Sequence, residues 1–343
     1  MEQLNLTKQD VLLTLKKHLQ TAIALEHSTL PPYLCAYWSI HGNSENAEHA
    51  KKFFLSIIQE EMLHMAMACN ILNAIGGEPV LNDPSLLPSY PCSLPGHSKT
   101  NYAFLVHLNK CCPQSITNFI QIELPEEMLG DKHHSDGWCT IGEFYDEIEA
   151  LLKHDAIDDN DFNFGRQLEG SVNPGKGKLY TVKSRQDALD ALEEIIDQGE
   201  GQSGKLYDRD HELTHYWKFR AIHDLIDNDI WKYKDEVYDV CIDPDENYFT
   251  REAKQLNSSF NSIYSDLLDA MQVAFTSSTP SLDDAIRIMF LLKKPAIQLM
   301  KIPLAGKEGN AGPTFNYIVP GERNKPNQIP TLPPGKLTSG KNF

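Results

Sequence analysis

Two pairs of potential metal ligands occur in the chain with the spacing Glu-x-x-His: Glu61–His64 and Glu212–His215. Residues three apart on an α-helix lie on the same face, so each pair would present a carboxylate beside an imidazole. Two such pairs, with one Glu from each of two further helices, make up the ligand set of dinuclear metal sites inside four-helix bundles. The spacing therefore predicts a site for two divalent metal ions.

A third carboxylate, Glu26, lies on the apolar stripe of an N-terminal helix. The stripe runs through Leu12, Leu15, Leu19 and Ala22 and continues to Glu26 and Tyr33. Burying a lone charge is very costly, so a glutamate on this stripe must be paired or bound to metal. Tyr33 could act at the site, where we take it as the catalytic candidate, or it could pack in the core. The sequence leaves both readings open.

The fourth carboxylate has two candidates on the next predicted helix, Glu143 and Glu147. Glu143 forms a Thr-x-x-Glu capping box with Thr140, which accounts for it without a metal. Glu147 lies one turn further on, between Phe144 and Leu151, and periodicity slightly favours it.

Three other candidates are weaker. Glu200, in the turn 198–201, is either a turn residue or an additional ligand. Glu60 lies beside the ligand stripe and is expected to be solvated, and His27 is expected to be a surface or capping residue.

Helical patterns surround all of these residues. Helices are expected from Thr7, over about 46–75, from Thr140, over about 186–197, from about Asp208, and over about 251–275 and 281–299. Pro31-Pro32 should kink or break the first helix just after Glu26. Residues 81–137 are expected to be irregular, and 179–182 a short strand.

The patterns predict an all-α fold: a four-helix bundle with long insertions and two additional C-terminal helices. The bundle would occupy residues 1–300, with covering loops at about 77–139 and 155–205. A Pro/Gly-rich tail would follow over 301–343.

The composition limits the class of partner. The chain has 48 acidic and 31 basic residues, a net charge of −17, which argues against binding to nucleic acid or to an anionic membrane. Its apolar runs are shorter than the roughly 20 residues of a membrane span. No export signal is visible and the seven cysteines form no C-x-x-C motif, so we expect a cytoplasmic protein.

Several motifs together resemble a known family. The chain is similar to the ferritin-like proteins related to the C-terminal part of iminophenylpyruvate dimer synthase and chromopyrrolic acid synthase, enzymes of the violacein, rebeccamycin and staurosporine pathways. The matching stretches are 25–34 (LEHSTLPPYL), 60–65 (EEMLHM), 140–145 (TIGEFY), 198–201 (QGEG), 212–219 (ELTHYWKF) and 312–315 (GPTF).

The resemblance implies a ferritin-like bundle with a non-haem metal site on Glu26, Glu61, His64, Glu212 and His215. It also favours Glu143 over Glu147 as the remaining ligand. The pathway enzymes carry a large N-terminal portion that has no counterpart in these residues, so their dimerisation reaction is not carried over.

Mixed nitrogen and oxygen ligands suit iron, and also manganese or zinc. We expect a di-iron oxidase or oxygenase that uses O2 or peroxide on a small, for example amino-acid-derived, molecule in secondary metabolism. The alternatives are an iron-handling ferroxidase or manganese-catalase-like protein without organic substrate, and a metal-free helical interaction scaffold. A homodimer is left open.

Overall fold

The fold is organised around a hairpin of two long helices. The computed structural model describes residues 7–97, 104–129, 137–163, 165–169, 177–199 and 205–323, which contain eight α-helices and no β-strand. The helices are α1 (Lys8–Ser39), α2 (Glu45–Ala74), α3 (Pro113–Ile122), α4 (Ile141–Lys153), α5 (Arg185–Gly199), α6 (His215–Asp227), α7 (Arg251–Thr276) and α8 (Asp283–Leu299). The all-α fold with two additional C-terminal helices is confirmed. None of the described helices is both long and apolar enough to cross a bilayer.

α1 and α2 run the length of the bundle, and each of its other two positions is filled by two short helices, one in each half. α1 and α2 are antiparallel, so that Lys16 Nζ near the start of α1 lies 3.0 Å from the Gly76 carbonyl oxygen after α2. The pair α3–α6 packs on one half of this hairpin, where the Tyr33 ring lies 4.8 Å from that of Phe119. The pair α4–α5 packs on the other half, where Phe144 stacks on His18. α7 and α8 form a separate hairpin against α1 and α2.

The first helix is continuous, and the break expected at Pro31-Pro32 is absent from it. Proline lacks the N–H that would bind the carbonyl four residues earlier, which for Pro32 is the carbonyl of Ser28. The hydroxyl of Tyr90 donates to that same oxygen at 2.7 Å. The Tyr90 side chain thus supplies the hydrogen bond that Pro32 cannot make. Glu26 and Tyr33 therefore lie on one uninterrupted helix.

Three local expectations differ from the structure. The helix α3 lies inside the segment expected to be irregular, with Pro113 at its first turn as helix starts favour. Residues 179–182 form no strand; instead the Tyr180 carbonyl and the Val182 backbone bind the side chains of Asn70 and Gln167. The helix expected from Asp208 begins only at His215, after the N-cap Thr214.

The segment after α8 packs onto α7 and extends the core beyond residue 300. The Thr314 hydroxyl accepts hydrogen bonds from the amides of Asn257 and Asn261, each at 2.9 Å. Phe315 is 3% exposed and packs against Trp38 of α1 and Phe260 of α7. The segment around Phe315 therefore connects α7 to the central hairpin.

We expect Phe315→Ala to lower the free energy of unfolding by about 3–5 kcal/mol, because it removes a buried ring between two helices. Chemical denaturation followed by circular dichroism measures the change. Phe290→Ala on α8 is the control, since Phe290 is 37% exposed and its loss should cost less than about 1 kcal/mol. Equal effects of the two variants would show that the segment around Phe315 is not part of the core.

Candidate metal centre

Five buried side chains converge halfway along the central hairpin: Glu26, Glu61, His64, Glu123 and His215. They form two triads that share Glu61, one with Glu26 and His64 and the other with Glu123 and His215. Within each triad the potential ligand atoms all lie within 4.8 Å of one another. The structure thus brings together four residues singled out from the sequence and adds Glu123.

The five cluster residues come from two kinds of position. Glu26, Glu61 and His64 lie in the middle of the long helices α1 and α2. Glu123 directly follows the last residue of α3, and His215 is the first residue of α6. The cluster therefore lies at the seam where the stacked short helices meet, and helix ends supply the second half of it.

Each of the two histidines makes a hydrogen bond through Nε2, the ring nitrogen that faces away from the cluster. His64 Nε2 lies 2.9 Å from Gln198 Oε1, and the amide nitrogen of Gln198 donates to Glu194, which leaves the oxygen to face His64. His215 Nε2 lies 2.8 Å from Glu60 Oε2. Acceptors at both Nε2 atoms place the proton there, so that in the neutral rings the Nδ1 lone pairs face the cluster.

The Nδ1 atoms face carboxylates rather than donors. His215 Nδ1 lies 2.9 Å from Glu61 Oε1 and 3.6 Å from Glu123 Oε2, but it is buried and makes no hydrogen bond of good geometry within the described part of the chain. His64 Nδ1 lies 3.7 Å from Glu26 Oε2. A lone pair directed at a carboxylate is repulsive unless a cation or proton lies between them. Each triad therefore offers a set of donors that could hold a metal ion.

The acid–base properties of the cluster agree with a missing positive charge. Burial, together with the charges of Glu123 and Glu26, raises the pKa of Glu61 to about 8. Burial opposes a charge on His215, but the carboxylates of Glu123, Glu60 and Glu61 around its ring raise the pKa of His215 well above its usual value. Without a cation, protons must compensate the carboxylates. Metal binding would displace those protons.

Glu60 is part of this arrangement, contrary to the expectation that it is solvated. It is 2% exposed and lies between His215 and the ammonium group of Lys218, whose Nζ is 2.7 Å from Glu60 Oε2. Burial acts against the Glu60 charge, but hydrogen bonding to His215 and the charge of Lys218 lower the pKa of Glu60 to about 2. Glu60 is thus an ionised acceptor that fixes the His215 ring.

Hydroxyl groups fix the three inner carboxylates. Tyr33 donates to Glu123 Oε1 at 2.5 Å, Thr29 donates to Glu61 Oε2 at 2.8 Å, and Tyr145 donates to Glu26 Oε1. Each glutamate keeps its other oxygen for the centre of the cluster. Tyr33, the catalytic candidate from the sequence, therefore lies within hydrogen-bonding distance of a potential metal ligand.

A small cavity of about 20 Å³ adjoins the carboxylates. Its far wall is made of Ile141, Gly142, Ile195, Ile196 and Gly199, at the start of α4 and the end of α5. A space of this size holds one molecule about as large as water.

Both candidates for the third helix lie outside the cluster. The carboxylate of Glu143 accepts a hydrogen bond from the Cys139 backbone N–H at 2.6 Å, and the Glu143 N–H donates to Oγ1 of the N-cap Thr140, so Glu143 takes part in capping the start of α4. Glu147 lies at the surface beside His18. The side chain from α4 that reaches the cluster is Tyr145.

Glu212 also lies outside the cluster, because the helical premise of its pair with His215 fails. It precedes α6 in a turn, where its N–H binds Asp208 Oδ1, and its side chain is 24% exposed. Only His215 of this pair is in the helix, so the two side chains do not share a helix face. Glu200 lies outside the described residues.

Glu123 was missed because α3 was missed. Ile116, Phe119 and Ile122 are the apolar residues that α3 buries, and Glu123 continues the spacing of three to four residues after Phe119. Pro113 at the start of the segment and this short stripe were the available signals. His27 was also misplaced: it is 7% exposed and its Nε2 lies 2.8 Å from the Tyr264 hydroxyl.

Comparison with known proteins adds two findings. A family model described as ferritin-like matches residues 19–224, more than half of the chain and a range that includes all five cluster residues. The chain is also similar to the crystal structure of a ferritin-like protein from Caulobacter vibrioides, with a TM-score of 0.66 and 20% identity over 89% of this chain and 97% of the other. A comparison with curated protein sequences finds no match.

We expect Glu123→Ala to reduce the metal content by at least about half, because one of the two triads loses its second carboxylate. Metal analysis by plasma mass spectrometry after loading with Fe(II) under anaerobic conditions gives the stoichiometry. Glu143→Ala and Glu212→Ala are matched controls that should retain the wild-type content. Metal loss in Glu212→Ala but not in Glu123→Ala would favour the ligand set expected from the sequence.

We expect Gln198→Leu to weaken metal binding by about 10–100-fold, because His64 loses the acceptor that orients its ring. Competition with a chelating dye measures the affinity. Gln186→Leu, an exposed position on the same helix α5, is the control for helix stability. An unchanged affinity in Gln198→Leu would mean that His64 is held in place by packing alone.

Proposed function

The chain belongs to the ferritin-like family, and on this premise we propose that the cluster holds two metal ions and that the protein is a non-haem dinuclear oxidase or oxygenase. The observation that carries this proposal is the convergence of three buried carboxylates with two histidines whose Nδ1 lone pairs face them. Such a donor set would hold one ion in each triad, and Glu61, which belongs to both triads, would be a ligand common to the two sites.

Iron is the metal that we propose, and manganese or zinc are the alternatives that the same ligands accept. When bound, a pair of iron ions supplies the redox chemistry by which O2 or peroxide oxidises a substrate. Among the described residues the inner ligands carry three negative charges, and Glu60 and Lys218 balance each other. Two divalent ions would leave one positive charge, which favours a small anionic ligand such as hydroxide.

The protein groups around the cluster would control protons and water. Burial and the charge of Glu123 raise the pKa of Tyr33 well above its usual value, so Tyr33 holds its proton and donates it to the Glu123 carboxylate in a hydrogen bond. Tyr145 does the same for Glu26. The aliphatic wall formed by Ile195 and Ile196 limits access of bulk water to the cavity. We propose that Tyr33 tunes the site through its hydrogen bond to Glu123.

The proposed substrate is a small organic molecule. Support comes from the motif resemblance to iminophenylpyruvate dimer synthase. Because of this resemblance, amino-acid-derived imines and 2-oxo acids are the first compounds to test. The negative charge of the chain gives no support for a nucleic-acid or anionic-membrane substrate.

A second candidate function has a specific observation in its favour. The cavity beside the carboxylates, about 20 Å³, fits water, O2 or peroxide and is too small for an amino-acid derivative. This supports oxidation of Fe(II) or disproportionation of peroxide without an organic substrate. In that case the small cavity would be the complete reaction chamber.

We expect the Fe(II)-loaded protein to consume O2 and the Tyr33→Phe variant to keep its metal but react at least about tenfold more slowly, because the hydrogen bond to Glu123 is lost. An oxygen electrode and metal analysis measure the two quantities. Tyr37→Phe, on the same helix, is the matched control.

The dependence of this reaction on added compounds separates the candidates. O2 uptake that continues beyond the iron present only when an organic substrate is added supports the oxidase. Uptake that stops in proportion to the iron indicates a ferroxidase, and repeated O2 release from peroxide by the manganese form indicates a catalase. A protein that takes up no metal under any condition contradicts both and leaves the scaffold.

A further inference from the structure

A second cavity lies away from the carboxylate cluster, between the central hairpin and the hairpin of α7 and α8. Its volume is about 120 Å³, and side chains from α1, α2, α7 and α8 surround it. Ile58, Met62 and Met65 line it from α2, on a different face of that helix from Glu61 and His64. None of the five cluster residues contributes to its wall. The cavity is therefore a separate space.

The lining shows which chemistry the cavity accepts. Most of its residues are aliphatic, aromatic or methionine, and water is poorly held where it finds few polar partners. Packed protein interiors leave few spaces larger than a water molecule, so an apolar space of this size is unusual. A dry cavity of roughly 150 Å³ lined by similar side chains binds benzene in an engineered protein. The size and lining therefore fit a small aromatic molecule.

One polar pair in the lining could orient a bound ligand. His27 and Tyr264 both line it, and His27 Nε2 lies 2.8 Å from the Tyr264 hydroxyl. A phenol has one donor and two acceptor sites, and His27 uses one of them. Whichever group donates in this pair, the Tyr264 oxygen keeps an acceptor site. A ligand with an N–H or O–H group on its ring would satisfy that site.

Partly buried residues, two of them methionines, form the rim of the cavity. Leu34, Met62, Ile286 and Met289 line the cavity and are only partly buried, whereas Met65 and Ala66 deeper inside are buried. Methionine side chains adapt to irregular apolar ligands, because they are unbranched and polarisable. The two methionines at the partly buried rim, Met62 and Met289, can therefore adjust to a ring somewhat larger than benzene.

From these observations we propose that this cavity is a binding site for a small aromatic molecule that carries one hydrogen-bond donor, in the class of indoles and phenols. The site goes beyond the proposed metal chemistry and does not depend on it. The ring would lie among the methionine and aliphatic side chains, with its donor directed at the Tyr264 oxygen.

Isothermal titration with indole and with benzene tests the proposal on the full chain. We expect saturable binding of both at one site, with indole the tighter ligand. Ala66→Leu should weaken binding of both by at least about tenfold, because the added atoms occupy the cavity. Ala150→Leu, an exposed position on α4, is the matched control and should bind as the wild type does. Thermal melts establish that both variants are folded.

Two further variants identify the polar contact and the location. Tyr264→Phe should weaken indole binding several-fold and leave benzene binding unchanged, because only indole uses the hydroxyl. Glu123→Ala should bind indole as the wild type does, even when it has lost metal. The proposal is overturned if indole does not bind, if Ala66→Leu binds it unchanged, or if the purified protein holds a fatty acid in this cavity.

Discussion

The rest of the structure depends on the electrostatic repulsion between three buried carboxylates, which no formal positive charge within the cluster offsets. Glu26, Glu61 and Glu123 are each almost inaccessible to water, and their carboxylates share a space of a few ångströms. Two helix starts and two helix ends meet there, and since each carries about half a charge of opposite sign, the helix dipoles largely cancel. The hydroxyl donors Tyr33, Thr29 and Tyr145 orient the carboxylates but supply no formal charge. The balance must come from cations or protons.

This constraint explains the surrounding layers. Without a metal, a histidine beside these carboxylates can take up a proton at Nδ1, because the Nε2 atoms of His64 and His215 are already bound by the acceptors Gln198 and Glu60. The outer groups therefore fix the two rings with Nδ1 inward. Lys218 in turn holds the charge of Glu60, so the outer layer is neutral and leaves the inner charge unbalanced. An arrangement with both features could hold a metal ion with little rearrangement of its side chains.

The sequence predicted the long elements well, because their patterns are long. The stripe that ends in Glu26 and the i, i+3 pair of Glu61 and His64 lie on helices of about 30 residues, where periodicity is a strong signal. The short elements were harder. The ten-residue helix that leads to Glu123 was hidden among Pro and Cys residues, and Glu212 has a ligand-like spacing from His215 although it precedes the helix. A spacing rule holds only where the backbone is helical, and a helix start cannot be located to within a residue from sequence alone.

The stacking of short helices also has a consequence for how the protein can change over evolutionary time. In a bundle of four uninterrupted helices the centre is enclosed by helix walls, and any opening there disturbs the core. Here two of the four walls are divided at the level of Glu123 and His215. The connections of those helices begin beside the cluster, so insertions in them alter access to the centre without moving α1 or α2. The bundle can thus keep one set of inner ligands while the surrounding segments diversify to admit different molecules.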